Sequence, residues 1–538
     1  MMELMPESFP RHTFMTSRFH PIACGLSLLL ITSFALRTTG AQPSTFVTRS
    51  GNRLFVDGHP FYFLGTNAYY LLEEAARGDT TTVRSLFETA RALGMTVIRT
   101  WGFHDSSDSL NRSVIQFRPG VYNENALRGL DYVIEQARLS NVRLIIALVN
   151  NWDDYGGMNQ YVRWRAGSQP MVMPQSKNRY SASDRARTVS GQLGRSYQFA
   201  ISDQFGHDDF YNDEIIKGWF KAYIETVLNR VNTLTGVAYK DEPAIFGWEL
   251  ANEPRSSDRS TTGITDWIRE MSIFVKTISR NQLIGSGEEG FDQSTSGYSI
   301  SAYNNQEFLF DGTSGCSFTA NTTIESIDFA GIHLYPESWG IPNNAGNAWI
   351  RDHLNIAGTY SKPLLIGEFG VRSQKPATYD SWLTTALLDE VAGALVWQIL
   401  EGNRRDFEGF GFRCPDEEQV CSVLGNNARQ FQVKSTFGLL PVPSHFSLLQ
   451  NYPNPFNEQT TISYDLPFDA YAMVTVFNTT GQIVETLVNG FQRRGVRKEV
   501  FGGRGLASGM YVVRLSVEDP LAGTRDEYAD VKKMLLVK

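Results

Sequence analysis

Two glutamates stand where apolar runs break off. IFGWELANEP (Ile245 to Pro254) begins as a buried-looking segment and ends in Glu249, Asn252 and Glu253. PLLIGEFG (Pro363 to Gly370) is apolar up to Glu368 and then turns at a glycine. A carboxyl group carried to the end of an apolar run is a candidate for acid–base or nucleophilic work. Two of them facing each other in a cleft suit cleavage of a glycosidic bond. One must stay protonated to supply the leaving oxygen; the other must be ionised to attack or to activate water. Glu253 is the candidate acid/base, with Asn252 beside it and with His333 and Trp248 as neighbours of the kind that tune a carboxyl. Glu368 is the candidate nucleophile, with Arg99 and Tyr335 as donors that keep it ionised and oriented. Taken singly, each glutamate could equally be half of a structural ion pair.

The elements that would position these groups repeat along the chain. Eight short apolar runs occur: FYFLGTN, TVIRTWGF, LIIALVNN, IFGWELANEP, QLIGSGEEG, FAGIHLYP, PLLIGEFG and GALVWQIL. Segments with helical spacing lie between them, such as TTVRSLFETARALG and ALRGLDYVIEQARLSN. Strands alternating with helices in this number predict a (β/α)8 TIM barrel, an α/β fold. The runs are apolar throughout because a parallel barrel covers both faces of its strands. A barrel would gather Arg99, Asn150, Asn252, Glu253, His333, Tyr335, Glu368 and Trp397 around one cavity, since they lie towards the C-terminal ends of six of these runs. The connection from Asp153 to Asp213 lacks a clear apolar period, and a loop of that length on a barrel is more often functional than accidental.

With 538 residues the chain is too long for one ordinary core. Residues 1–41 read as a signal peptide: Arg11 and Arg18 precede the apolar run Ile22 to Leu36, and small residues lead up to Ala41. Residues 42–433 are assigned to the barrel and 434–445 to a linker. Residues 446–538 alternate polar and apolar at period two between Pro, Gly and Asn turns, which predicts a small C-terminal all-β sandwich. The formal charge of −8 is spread along the chain, which argues against nucleic acid as a partner. Cys414 and Cys421 are close enough to close a small loop, with Cys316 left over. No histidine stands near any of the three, which argues against metal binding there, and glycosidic cleavage by two carboxyls needs no metal or organic cofactor.

ELANEP, HLYP and IGEFG in that order resemble glycoside hydrolase family 5. GTNAYYL, VIRTWGF, NNWDDYGGMNQYVRW, YKDEPAIFGWELANEPR, IDFAGIHLYPESWG and GALVWQI narrow the resemblance, over about Phe46 to Ile399, to its endo-β-1,4-mannanase branch. The resemblance implies Glu253 as acid/base and Glu368 as nucleophile of a retaining double displacement. It further implies Arg99 and Tyr335 near the nucleophile, Asn252 on the sugar 2-hydroxyl, His333 near the acid/base and Trp397 beneath the sugar at the cleaved bond. Trp101 and Asn151 would line the glycone side, and Arg255 would reach the aglycone side. Asn150-Asn151-Trp152 is the mannanase form of a position where many wider relatives carry histidine. The long arginine-rich segment Arg163 to Arg195 leaves endo against exo action open.

The tail, from LLQNYPNPFNEQTTISYDLP through LASGMYVVRLSV to KKMLLVK, resembles the C-terminal sorting domain of type IX secretion substrates. That implies the secretion machinery as a partner and a secreted or cell-surface location in a Gram-negative bacterium. The expected assembly is a monomer and the expected substrate a β-mannan, with an endo-β-1,4-glucanase as the nearest alternative. A non-catalytic carbohydrate-binding protein is disfavoured because both glutamates are present with their supporting residues.

Overall fold

The computed structural model describes residues 43–167, 206–437, 443, 445–518 and 527–538. The predicted signal peptide and most of the long arginine-rich segment lie outside the described residues. Eight parallel strands form one sheet: β1 (Phe63–Asn67), β2 (Val97–Trp101), β3 (Arg143–Ala147), β4 (Ile245–Glu249), β5 (Leu283–Gly285), β6 (Ala330–Leu334), β7 (Leu364–Phe369) and β8 (Gly393–Val396). β1 pairs with both β2 and β8, so the order runs continuously through the first and last strands. The remaining seam, β5 to β6, is bridged by Asp328 N to Ile284 O at 2.7 Å and His333 N to Glu289 O at 3.1 Å. The result is the TIM barrel that the sequence predicts.

Every residue of these strands is buried, as a sheet covered on both faces requires. One layer inside the barrel is filled by Phe63, Val97, Ile145, Phe246, Leu283, Phe329, Leu365 and Leu395. Val47 and Leu54, from a small antiparallel sheet before β1, join the same cluster. The interior is therefore a packed floor, closed below by Arg143 at the start of β3, and the polar groups of the candidate site stand towards the C-terminal strand ends. The helices carry the expected start signals: Asp79, Asn123 and Asp213 each accept a backbone N–H of the helix that follows.

The barrel's last helix runs Glu418–Phe437, so it reaches into the stretch 434–445 expected to be linker. Tertiary contacts extend it: Ser435 Oγ accepts from Tyr62 N and donates to Tyr62 O, both at 2.8 Å, and Lys434 Nζ donates to Leu387 O at 2.5 Å. Cys414 and Cys421 form a disulfide, while Cys316 is buried and free, its thiol 2.8 Å from Pro254 O. Among the described residues no helix is long and apolar enough to cross a membrane.

The C-terminal residues fold as two antiparallel sheets. One contains β9 (Ser447–Leu448), β10 (Gln459–Leu466) and β13 (Gly495–Gly502). The other contains β11 (Ala470–Asn478), β12 (Ile483–Gln492), β14 (Gly509–Glu518) and β15 (Glu527–Leu536). Their shared core includes Ile462, Tyr464, Val474, Val476, Val513 and Leu515. Strand β13 packs on the barrel helix Lys375–Leu388. Arg497, fully buried there, donates to Asp389 at 2.8 Å; Arg351 reaches Asp389 at 3.3 Å and Glu499 at 3.2 Å. Asn347 donates to Glu499 at 2.6 Å. The sandwich is thus seated on the barrel through paired and hydrogen-bonded charges.

Candidate active site

Arg99 organises the floor of the site. It points inward from β2, has no solvent exposure, and uses its whole fork. Nε donates to Glu249 Oε2 at 2.6 Å, Nη1 to Glu368 Oε1 at 2.6 Å and Asn67 Oδ1 at 3.2 Å, and Nη2 to Asn252 Oδ1 at 2.8 Å. Asn67, Glu249, Asn252 and Glu368 come from β1, β4 and β7 or just beyond them, so one guanidinium ties three strands besides its own. The second Glu368 oxygen accepts the Tyr335 hydroxyl at 2.6 Å. Both oxygens of Glu368 are therefore held, as the sequence predicts for Arg99 and Tyr335.

Asn252 is also fixed. Its carbonyl must face Arg99, so its amide donates to Asn150 Oδ1 at 3.0 Å and keeps one N–H for a ligand.

Glu253 lies four residues beyond the end of β4, with φ +50°. That left-handed conformation costs a non-glycine residue about 1 kcal/mol and aims the side chain across the cavity. Its N–H is secured on Gly287 O at 2.8 Å. Gly287 must be glycine there: its φ is +78°, and a Cβ would stand 1.8 Å from Ala251 O. One Glu253 oxygen meets His333 Nδ1 at 2.7 Å and the other accepts Trp152 Nε1–H at 2.6 Å. Trp248, expected as a neighbour, is not one. Strand alternation turns it away from the Glu249 side, and its Nε1–H donates to Gln282 at 2.7 Å. Trp152 takes that place.

The electrostatics separate the two carboxyls. Burial pushes Glu253 upward, with Arg255 and the Trp152 N–H only partly opposing it. Burial also pushes Glu368 upward, and Glu253 adds to this, against the pull of Arg99 and Tyr335. Two buried carboxyls this close favour one shared proton. Burial raises both, but Arg99 and Tyr335 both donate to Glu368, an arrangement that suits an ionised Glu368 and a protonated Glu253. His333 does not disturb this: burial, and then Arg99, push it down to about 3, so its ring is neutral. Glu253, His333 and Glu368 offer atoms that all lie within 4.8 Å of one another. That spacing could also hold a metal ion, but the adjacent Arg99 guanidinium opposes a cation there.

The remaining sequence-predicted residues surround this pair. Trp397, just past β8, stacks on Tyr69 (5.7 Å, 9° between planes) and donates to Glu408 at 2.9 Å. Trp101 lies 4.8 Å from Tyr69, and its Nε1 is buried with no partner among the described residues. Arg255 sits over the rings of Trp152 (5.1 Å) and Phe291 (5.0 Å) and binds Glu289 through two bonds of 2.6 and 2.7 Å. Burial raises Glu289 to about 7 despite Arg255. Asn151 accepts the Arg255 backbone N–H at 3.1 Å, which places its side chain with the Arg255 segment.

Sequence reasoning did not select Asn67, Tyr69, Trp152, Glu289 and Glu408. Asn67 and Trp152 had a signal, because each ends or follows an apolar run in the manner of the residues that were selected. Glu289 carried the same signal, since it lies at the end of QLIGSGEEG, whereas Tyr69 and Glu408 lie in loops that no apolar run marks out.

A family model described as GH family 5 beta-mannosidase-like matches residues 44–413. One described as a secretion system C-terminal sorting domain matches residues 450–522. The chain is similar to putative mannan endo-1,4-beta-mannosidase 4 of Arabidopsis thaliana, 36% identical over 416 residues that cover 72% of this chain and 92% of that one. It is similar to the solved endo-beta-1,4-mannanase from Thermotoga petrophila (28% identity, TM-score 0.62, covering 89% of this chain and 98% of that one). It is also similar to the endo-1,4-beta-mannanase from Rhizomucor miehei (35% identity, TM-score 0.59, covering 72% and 100%).

Proposed function

The chain belongs to the glycoside hydrolase family 5 β-mannosidase-like family, and from that premise we propose a secreted, endo-acting hydrolase of β-1,4-mannans that works by retaining double displacement. The observation that carries the mechanism is the spacing and unequal environment of Glu253 and Glu368. One oxygen of each lies within 4.8 Å of an oxygen of the other, an approach that suits the roughly 5 to 5.5 Å carboxyl separation of retaining enzymes better than the roughly 6.5 to 9.5 Å of inverting ones. Glu368 attacks the anomeric carbon as the glycosidic C–O bond breaks, and the Glu253 proton passes to the departing oxygen. Water then loses a proton to Glu253 and attacks the same carbon, which frees Glu368 and restores both groups.

The mannan reading is supported by the relatives named above, which are mannan endo-1,4-β-mannosidases or endo-mannanases. Trp397 and Trp101 supply apolar faces for sugar rings, and Asn252 keeps one N–H for a hydroxyl. Galactomannan and glucomannan are the proposed substrates. One chain supplies every group of the site, so the proposed working unit is the monomer. The proposed domains are a signal peptide over 1–41, the barrel, and the sandwich from 446. The sorting-domain match supports release or display at the surface of a Gram-negative cell through type IX secretion.

The test is reducing-sugar release and viscosity on galactomannan, glucomannan and soluble cellulose, with the anomer of the first product read by NMR. Fast viscosity loss on the mannans and a β-anomer first would support the reading. Action on cellulose alone would replace it with a glucanase, sugar release without viscosity loss with an exo-enzyme, and an α-anomer first would remove the retaining mechanism.

A further inference from the structure

Arg99 is bound by two carboxylates, and the mechanism uses only one. Glu249, at the end of β4, is 2% exposed, and its Oε2 takes the Nε–H of Arg99 at 2.6 Å. This bond does two things. It fixes the guanidinium plane, so that Nη1 must fall on Glu368 and Nη2 on Asn252. It also divides the cation between two anions. An arginine given wholly to Glu368 in a buried site would hold that carboxylate's charge hard. A nucleophile must give up that charge as its bond to the anomeric carbon forms.

We propose that Glu249 is a positioning residue of the first displacement: it orients Arg99 and balances its charge, leaving Glu368 ionised yet free to react. This rests on the reading of Glu368 as nucleophile. The charged and titratable groups that bear on Glu368 are Arg99 from β2, Glu249 and Glu253 from β4 and its extension, and His333 and Tyr335 from β6. Of the carboxylates that bond Arg99, only Glu249 stands outside the chemistry.

The test uses the full secreted chain with Glu249→Gln, which keeps the shape and the Nε–H acceptor but removes the charge. A dinitrophenyl β-mannobioside serves as substrate because its leaving group needs no acid and so reports on the nucleophile alone. Glu249→Gln should lower kcat/KM on both this substrate and galactomannan by about tenfold to a hundredfold, the scale set by single oriented groups in such sites. The acid limb of its pH profile should move to lower pH, because Glu368 loses a like charge while Arg99 stays. Glu249→Asp keeps the charge with a shorter reach; it should lose rate with the acid limb in place. It also carries the test should Glu249→Gln not accumulate as folded protein. A folded Glu249→Gln with wild-type rates, or with a reduced melting temperature and an unmoved acid limb, would overturn the proposal. Failure of the wild-type chain on every mannoside would instead remove the reading on which it rests.

Discussion

Two clusters of buried charge lie in this molecule, and they are balanced differently. At the seat of the C-terminal domain, Arg351 and Arg497 face Asp389 and Glu499, two cations against two anions, with Asn347 adding a donor. Burial raises Asp389, but Arg497 and Arg351 more than offset it and leave it below its ordinary value, while Glu499 stays raised by burial against the pull of Arg351 and Asn347. In the barrel cavity Arg99 faces Glu249 and Glu368, with Glu253 close by and His333 neutral. There Glu253 and Glu368, the proposed catalytic carboxyls, are both left raised. A cluster that only joins surfaces can match its cations and anions in number, as this one does, even though burial still raises Glu499. A cluster that must pass a proton and form a bond keeps an excess of negative charge, and one carboxyl holds a proton as a result.

The largest effect that separates the two clusters is expected at Glu368. Glu368→Ala should reduce kcat on galactomannan by about 10⁴- to 10⁶-fold, the range for loss of a covalent nucleophile. Its melting temperature should not fall, because removing a buried carboxyl with a raised pKa relieves a cost above its unfolded value. A drop in melting temperature would mean that Glu368 is a structural anchor like Asp389. Glu253→Gln comes next, with a loss of about 10²- to 10⁴-fold on the polysaccharide, as for loss of a general acid. A dinitrophenyl mannoside should recover most of it in kcat/KM, which reports the first displacement, while kcat stays low because glutamine cannot take the proton from water. An equal loss on both substrates would take the proton-donor role away from Glu253.

The opposite signature is expected at the seat of the sandwich. Arg497→Ala should destabilise the protein by about 3 to 5 kcal/mol, as for a buried pair robbed of one partner, with kcat unchanged. Denaturant unfolding followed alongside activity would show it; a change in kcat at constant stability would join the two clusters that the structure keeps apart. The Asp389 contribution to the wild-type seat should also weaken in acid. Asp389 has a depressed folded value, so its contribution is present above its unfolded value of about 3.9 and is lost as pH falls through the lower folded one. The smallest effect is assigned to Trp152→Phe. It removes an N–H that favours ionised Glu253, so the basic limb of kcat/KM should move up by roughly half a unit to one unit. A limb that stays in place would show that the Trp152 contact does not reach the proton on Glu253.

Much of the barrel was legible because its signal is local. All eight apolar runs became the eight strands, each shorter than its run; the surplus residues are the loop starts that carry Asn252, Glu253, Tyr335 and Trp397. The end of the barrel was less legible. Helix Glu418–Phe437 outlasts the expected boundary through contacts with Tyr62 and Leu387, residues far away in sequence. Trp248 was expected beside Glu253 because the two are close in sequence, yet strand alternation separates them. Trp152 reaches Glu253 from the far end of another strand.

By itself the sequence determined which groups stand at the strand ends, and therefore which chemistry the cavity can hold. Strand length and apolar pattern are properties of short segments, and the barrel converts them directly into position. Tertiary structure decided how the charges are shared. It set Arg99 between Glu249 and Glu368, the left-handed turn that aims Glu253, and Trp152 and His333 on that residue's two oxygens. It also set the seat of the sandwich on the barrel. These depend on distances between residues tens to hundreds of positions apart, and only closure of the barrel and docking of the second domain fix those distances.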